Sequence, residues 1–359
     1  MLGCLVKREL NVGVIGLGHM GMLHLMNCKY IEGVKVVAAA DKSKAALKRA
    51  ESFGVKNLFT DYHNLFNESP KLDAVIISLP NFLHFESVKL ALEAGVDVFV
   101  EKPLTVSVKE GGEIVKLVEK SGRKLMVGHY MRFIEATEKM KAALDIGRIG
   151  DLEVVTLEQI LNGPFAHGAV PTPVPEWWFD PQKTGGGVLL DLGYHMIDLF
   201  RFFVGGESFK VLFSWFEHKF NLPMEDGAIL VLKSCKSNVR GIINVGWFQK
   251  SVFPEYNFRM ILHGCAGYIS SDDLVPKNIY LHAIKEGTKN ILRRIIGKKI
   301  KPLSYSYYYE AYYKELQQFF DCINRDCDPP VSAVDGLKTL EIIEEAYRNF
   351  NKNHVYRGV

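Results

Sequence analysis

Short apolar runs alternate with amphipathic stretches through the first third of the chain. Val12–Ile15, Val34–Ala40, Ala74–Leu79, Val96–Val100 and Lys124–Gly128 are largely apolar without polar alternation, the pattern of strands covered on both faces of a parallel sheet. Between them, Met22–Cys28, Lys42–Phe53, Phe85–Ala94 and Glu110–Lys120 carry helical spacing, and Gly95 stops the third. Strands alternating with helices predict a doubly wound α/β sheet with right-handed crossovers over residues 1–130. The pattern then changes. Ile134–Leu144 reads as helix. Asp151–Ile160, Lys210–His218, Ala228–Ser234, Val239–Phe248 and Asn257–Leu262 read as longer strands joined by turns. Residues 131–359 are therefore expected to form an α/β domain around an open, mostly antiparallel mixed sheet. Incomplete alternation in Val239–Trp247 suggests one face packed on helices and another open to a second subunit.

Composition narrows the function classes. The 359 residues are 48% hydrophobic, enough for two cores, and the formal charge of +3 gives no general case for nucleic acid. Basic residues concentrate at 285–301, which reads first as a solvated face and second as a phosphate site using Arg293 and Arg294. Six cysteines without a CxxC pair favour a reducing, cytoplasmic setting and indicate neither disulfides nor zinc. No run reaches membrane-span length, and no membrane partner is expected.

Candidate chemistry sits at three places. Gly16-Leu17-Gly18-His19-Met20-Gly21 lies between the first strand and helix, and Asp41 ends the second strand twenty positions later. Gly16 permits the turn, Gly18 lets backbone approach a pyrophosphate, and Gly21 packs helix on strand. The helix amino terminus, with His19 and Met20, then faces the anion. Asp41 suits the ribose hydroxyls of NAD, while Lys42 and Lys44 keep NADP possible. Ser78, Leu79, Asn81 and His84 follow the fourth strand at the same sheet edge and are further cofactor candidates. Glu101-Lys102-Pro103 ends the fifth, where the Lys102 ammonium can favour alkoxide character in a substrate.

The third place is the helix expected from Val188 to Phe203, after Gly185-Gly186-Gly187. Asp191, His195 and Asp198 recur at i, i+4 and i+7, one stripe on an otherwise apolar helix. Buried ionisable groups need partners or a task, and a histidine is the natural proton acceptor near neutral pH. A third metal ligand at suitable spacing is not evident, so no metal is expected. The proline- and aromatic-rich segment before it, through Trp178, reads as a semi-rigid loop over a site.

GVIGLGHMG, SLPNFLH, AGVDVFVEKPL, GHYMRF, GGGVLLDLGYHMIDL, YKELQQFFDCI and VSAVDGLKTLEIIEEAY together resemble the Gfo/Idh/MocA oxidoreductases, the family of glucose-fructose oxidoreductase and inositol 2-dehydrogenase. The resemblance runs from about residue 10 to 357. It implies a Rossmann domain, a carboxyl-terminal α/β domain, and homodimers or homotetramers joined through the second sheet. It implies that Lys102, Asp191 and His195 are catalytic, that Glu101 and Lys102 lie at the cofactor, and that Arg132, Trp178 and Asp198 lie near substrate. Residues 164–178 and 285–301 depart from the common pattern and leave the substrate open among sugars, inositols and nucleotide sugars. Three functions compete: an NAD-dependent dehydrogenase of a secondary hydroxyl, an NAD-retaining glycoside hydrolase, and a non-enzymatic NAD-binding regulator.

Overall fold

The computed structural model describes residues 9–161, 163, 175–206, 208–248, 258–298, 300 and 307–354. Two compact units emerge. One is built chiefly from residues 9–130 and 312–337, the other from 131–298 and 338–354.

The first unit runs β1 (Leu10–Ile15), α1 (His19–Cys28), β2 (Val34–Ala40), α2 (Lys44–Ser52), β3 (Asn57–Phe59), α3 (Tyr62–Glu68), β4 (Ala74–Ile77), α4 (His84–Glu93), β5 (Asp97–Glu101), α5 (Val108–Ser121) and β6 (Leu125–Gly128). Its sheet is parallel with order β3-β2-β1-β4-β5-β6. The order reverses direction between β1 and β4, and such a switch point opens a crevice at the carboxyl ends of the strands. The helices start where a polar side chain can satisfy their open amides: Ser43 accepts from the Ala46 amide, Asp61 from His63 and Ser107 from Glu110. The short β3 and α3 escape the periodicity reading because their polar sequence carries no sustained period.

The second unit contains α6 (Glu135–Asp145), β7 (Leu152–Ile160), the short α7 (Pro181–Thr184), α8 (Tyr194–Val204), β8 (Phe209–Glu217), β9 (Gly227–Ser234), β10 (Arg240–Gly246), β11 (Phe258–Gly264), β12 (Gly267–Ser270) and α9 (Ile279–Ile295). Its sheet order is β12-β11-β7-β10-β9-β8. Only β7 and β10 pair in parallel, and every other neighbour is antiparallel. One face is dry: Leu157, Leu230, Leu232, Ile243, Val245, Met260 and Leu262 are buried beneath it. Helix α8 lies so close that a Cβ on Gly241 of β10 would come within 2.8 Å of the Phe200 ring. The other face leaves Phe213 and Trp215 of β8, Ile229 of β9 and Ile242 of β10 exposed.

Two last helices, α10 (Tyr307–Arg325) and α11 (Ala333–His354), complete the chain. In the first unit, Phe319 of α10 packs on Phe99 of β5 with ring centroids 5.8 Å apart, and the Val127 amide donates to the Val331 carbonyl at 3.0 Å. In the second unit, Tyr347 of α11 packs on Phe216 of β8, and the Ser214 hydroxyl donates to the Ala346 carbonyl at 2.7 Å. Among the described residues no helix is long and apolar enough to cross a membrane.

Candidate active site

The first unit builds a cradle at its sheet edge. Gly16 leaves β1 with φ of +83°, and a Cβ there would lie 2.4 Å from the Ser78 carbonyl oxygen beyond β4. A Cβ on Gly21 would sit 1.7 Å from the Gly16 carbonyl oxygen, so only glycine lets α1 start this close to the strand. Gly18 is exposed, nothing lies within 4 Å of the Cβ it lacks, and no side chain caps α1. His19 is exposed and Met20 half-buried beside it. The Leu17 and Ser43 amides donate to the two Asp41 oxygens at 2.6 and 2.7 Å, fixing the carboxylate of β2 against the glycine turn. A carboxylate has about four acceptor positions, so Asp41 retains capacity for hydroxyl donors. Lys42 is exposed, and Ser78, Leu79 and Asn81 are half-buried along the edge. The open turn, the uncapped helix and Asp41 fit an NAD pyrophosphate and ribose.

Two expected cofactor contacts have other work in this geometry. His84 is fully buried; its Nδ1 lies 2.7 Å from the Pro103 carbonyl oxygen and its Nε2 2.8 Å from that of Leu79. It thus braces the loop after β4 against the loop after β5. Burial holds its pKa below the usual imidazole value despite both carbonyls, so in the neutral ring only one contact carries a proton. Glu101 pairs instead with the buried His24 of α1, Oε1 to Nε2 at 2.6 Å. Glu315 of α10 completes this cluster, with ligand atoms of all three within 4.8 Å of one another. Burial, then the Glu101 charge, push the Glu315 carboxyl well above its ordinary range, against the opposing pull of the His129 backbone. Lys102 follows directly on Glu101 and is half-buried at the strand end.

In the second unit the expected regular helix from Val188 begins differently. Leu189–Gly193 form a π-helical turn before α8. Single π turns inside helices recur at functional sites because they re-aim side chains. The turn is anchored by a residue the sequence reading missed. Buried Glu225 accepts from the Gly187 and Leu189 amides at 3.0 and 3.1 Å and from the Tyr347 hydroxyl at 2.7 Å. A Cβ on Gly187 would meet the Glu225 carbonyl oxygen at 2.2 Å, which explains that glycine. Burial raises the Glu225 pKa, opposed by these donors.

Asp191 is half-buried, and Trp247 Nε1 donates to its Oδ2 at 3.3 Å; Trp247 too escaped the sequence reading. His195 stands one helical turn on, 6% exposed. Asp198, expected to touch substrate, is fully buried and its carboxylate is taken by Arg132, Nε to Oδ2 at 2.6 Å with a second bond through Nη2. Arg201 adds a longer contact at 3.7 Å. The i, i+4, i+7 stripe is thus split: Asp191 and His195 share the start of the helix, while Asp198 and Arg132 satisfy each other within the core. That mutual pairing engages both of the side chains expected near substrate. Trp178 lies half-buried in a 3-10 turn, Glu176–Phe179, its ring centroid 5.5 Å from that of Trp177. Most of the loop before it, 164–174, lies outside the described residues. Arg293, the phosphate candidate, donates from Nη1 to Asn290 Oδ1 within α9 at 2.9 Å.

Residues 10–129 match the family described as oxidoreductase, NAD-binding Rossmann fold, and residues 141–357 match its C-terminal alpha/beta domain. The chain belongs to the Gfo/Idh/MocA oxidoreductase family. It is an NAD-binding oxidoreductase of that family. It is 27% identical over 336 residues to myo-inositol 2-dehydrogenase of Thermotoga maritima, covering 92% of this chain and 93% of the relative. It is also 27% identical over 355 residues to scyllo-inositol 2-dehydrogenase (NAD(+)) of Bacillus subtilis, covering 96% and 95%. A solved scyllo-inositol dehydrogenase from Lactobacillus casei, with bound NAD(H) and scyllo-inositol, shares the fold at 21% identity and a TM-score of 0.75, over 96% of this chain and 98% of that one.

Proposed function

We propose that this enzyme oxidises a secondary ring hydroxyl of a polyol or sugar, or runs the reverse reduction, with His195 exchanging the hydroxyl proton. The observation that carries the reading is the anchored π turn, which presents Asp191 and His195 together at the start of α8 in a chain similar end to end to inositol dehydrogenases. NAD, when bound, supplies the hydride acceptor. Gly16, Gly18 and the α1 amino terminus would hold its diphosphate, and Asp41 would hold its ribose. His195 takes the O–H proton as the C–H bond gives up its hydride and the carbon becomes a carbonyl. Asp191, steadied by Trp247, orients the imidazole. In the first unit, the Lys102 ammonium at the end of β5 is suited to favour alkoxide character in a substrate.

The free thiols among the described residues suit a cytoplasmic setting, and the exposed apolar sheet face supports a homo-oligomer. The test is a panel of inositols, sugars and nucleotide sugars followed by absorbance of the reduced nicotinamide. Turnover on a polyol or sugar is expected, and His195→Ala should lower it roughly 100- to 10,000-fold with NAD affinity unchanged. Glycoside cleavage without net reduced cofactor would replace this reading with the hydrolase, and full turnover by the variant would move the proton role elsewhere.

A further inference from the structure

Helix α9 is amphipathic the wrong way round for a helix that packs into a core. Tyr280, Leu281, Ile284, Ile291, Leu292 and Ile295 are each between 56% and 74% exposed, and Ile296 continues the row past the helix end. Their spacing places them on one stripe of the 17-residue helix. The opposite side is polar or small: Asn290 is buried, and Ala283, Glu286 and Gly287 are half-buried. Polar groups on that inner side meet one another. Arg293 donates to Asn290, and Glu286 pairs with Lys289 and, at 3.9 Å, with Arg293. The helix thus turns its apolar side outward, a patch that isolated surface leucines do not explain.

The charges beside the stripe say what covers it. Lys285 and Lys289 flank one edge, Arg294 and Lys298 the other, and Glu286 is the only acid from Ile279 to Lys298. We propose that α9 lies on an anionic lipid bilayer, its isoleucines and leucines in the acyl boundary and its lysines and arginines at the headgroups. Cations on both edges with apolar residues between them are the arrangement of an interfacial helix, which lies on a membrane without spanning it. Long basic side chains bury their stems and reach back to phosphate oxygens. A second copy of α9 is a poorer occupant, because pairing two such stripes sets lysines and arginines of both helices side by side.

Vesicle flotation decides. The intact enzyme is mixed with vesicles of equimolar phosphatidylglycerol and phosphatidylcholine, and separately with phosphatidylcholine alone. Binding to the anionic vesicles is expected, weakened by salt and far weaker on neutral lipid. Lys285→Gln and Lys289→Gln should each weaken it roughly fivefold. Ile284→Asp with Ile291→Asp should weaken it at least roughly a hundredfold, since two apolar side chains leave the acyl boundary. Circular dichroism and NAD binding report that these variants remain folded. No flotation, flotation equal on neutral vesicles, or flotation unchanged in the double aspartate variant would overturn the proposal. So would a double variant that changes subunit number in place of lipid binding, which would assign the stripe to a second copy.

Discussion

Glu315 shows what a single buried residue does to the pH response of the whole chain. Its folded-state pKa is raised well above the ordinary 4.5, by burial first and the Glu101 charge second. The folded protein therefore keeps a proton that the unfolded chain has lost. The contribution is fully present below the unfolded value and is lost as pH rises towards the folded one. Each pH unit in that window costs up to about 1.4 kcal/mol from this group. Glu315→Gln, which stays neutral, should flatten the decline; Glu225, shifted the same way, leaves part of it in place. Urea midpoints measured across that range check this, and parallel wild-type and variant curves would mean that Glu315 is already ionised. At the residue scale, what the sequence makes legible is local. Gly16, Gly21 and Asp41 sit in one strand-turn-helix segment and its neighbour. His195 stands out on an apolar helix. Glu225, Trp247 and Glu315 were illegible because their partners are remote: Glu225 meets an amide 38 residues away and a hydroxyl 122 away. The pairing of Asp198 with Arg132 was illegible for the same reason, since the two lie 66 residues apart.

At the scale of elements, periodicity found the strands of both sheets except the short β3 and β12 to within a few residues, because apolar runs and alternation are set by which faces the sheet buries. It could not find the π turn before α8. A regular helix and a helix with one wide turn share the same apolar pattern, and the choice falls to Glu225, which binds the Gly187 and Leu189 amides from β9's approach. Glu225→Ala should therefore act twice. Two buried amides and the Tyr347 hydroxyl lose their acceptor, at about 1–3 kcal/mol for each group left unsatisfied. The turn that presents Asp191 also loses its anchor, so kcat should fall while NAD affinity, set in the other unit, holds. Glu225→Gln keeps an acceptor oxygen and should recover much of both. Thermal unfolding, steady-state kinetics and cofactor titration on the two variants separate these effects. An alanine variant with unchanged kcat would show that the turn holds without its carboxylate.

At the scale of the whole molecule, two apolar surfaces remain, and their chemistry separates their roles. The outer sheet face lines up Phe213 and Trp215 of β8 with Val231 and Ile229 of β9, and Val231 with Ile242 of β10. The ends of this face are charged: Lys210, Lys233 and Arg240 are register partners across β8, β9 and β10, and Asn244 of β10 donates to Glu158 of β7 at 2.9 Å. An apolar patch in the middle of a sheet face suits a second copy of itself, because a two-fold interface is self-complementary. Trp215→Asp with Ile242→Asp should therefore yield a smaller species by light scattering. Each subunit then buries two carboxylates against its partner, and an unpaired buried charge costs several kcal/mol. The same pair should leave vesicle flotation intact, whereas the aspartates in α9 should abolish flotation and leave subunit number alone. If the sheet variant stays at its original mass, the oligomer, where one forms, is held elsewhere and the outer sheet face is free for another partner.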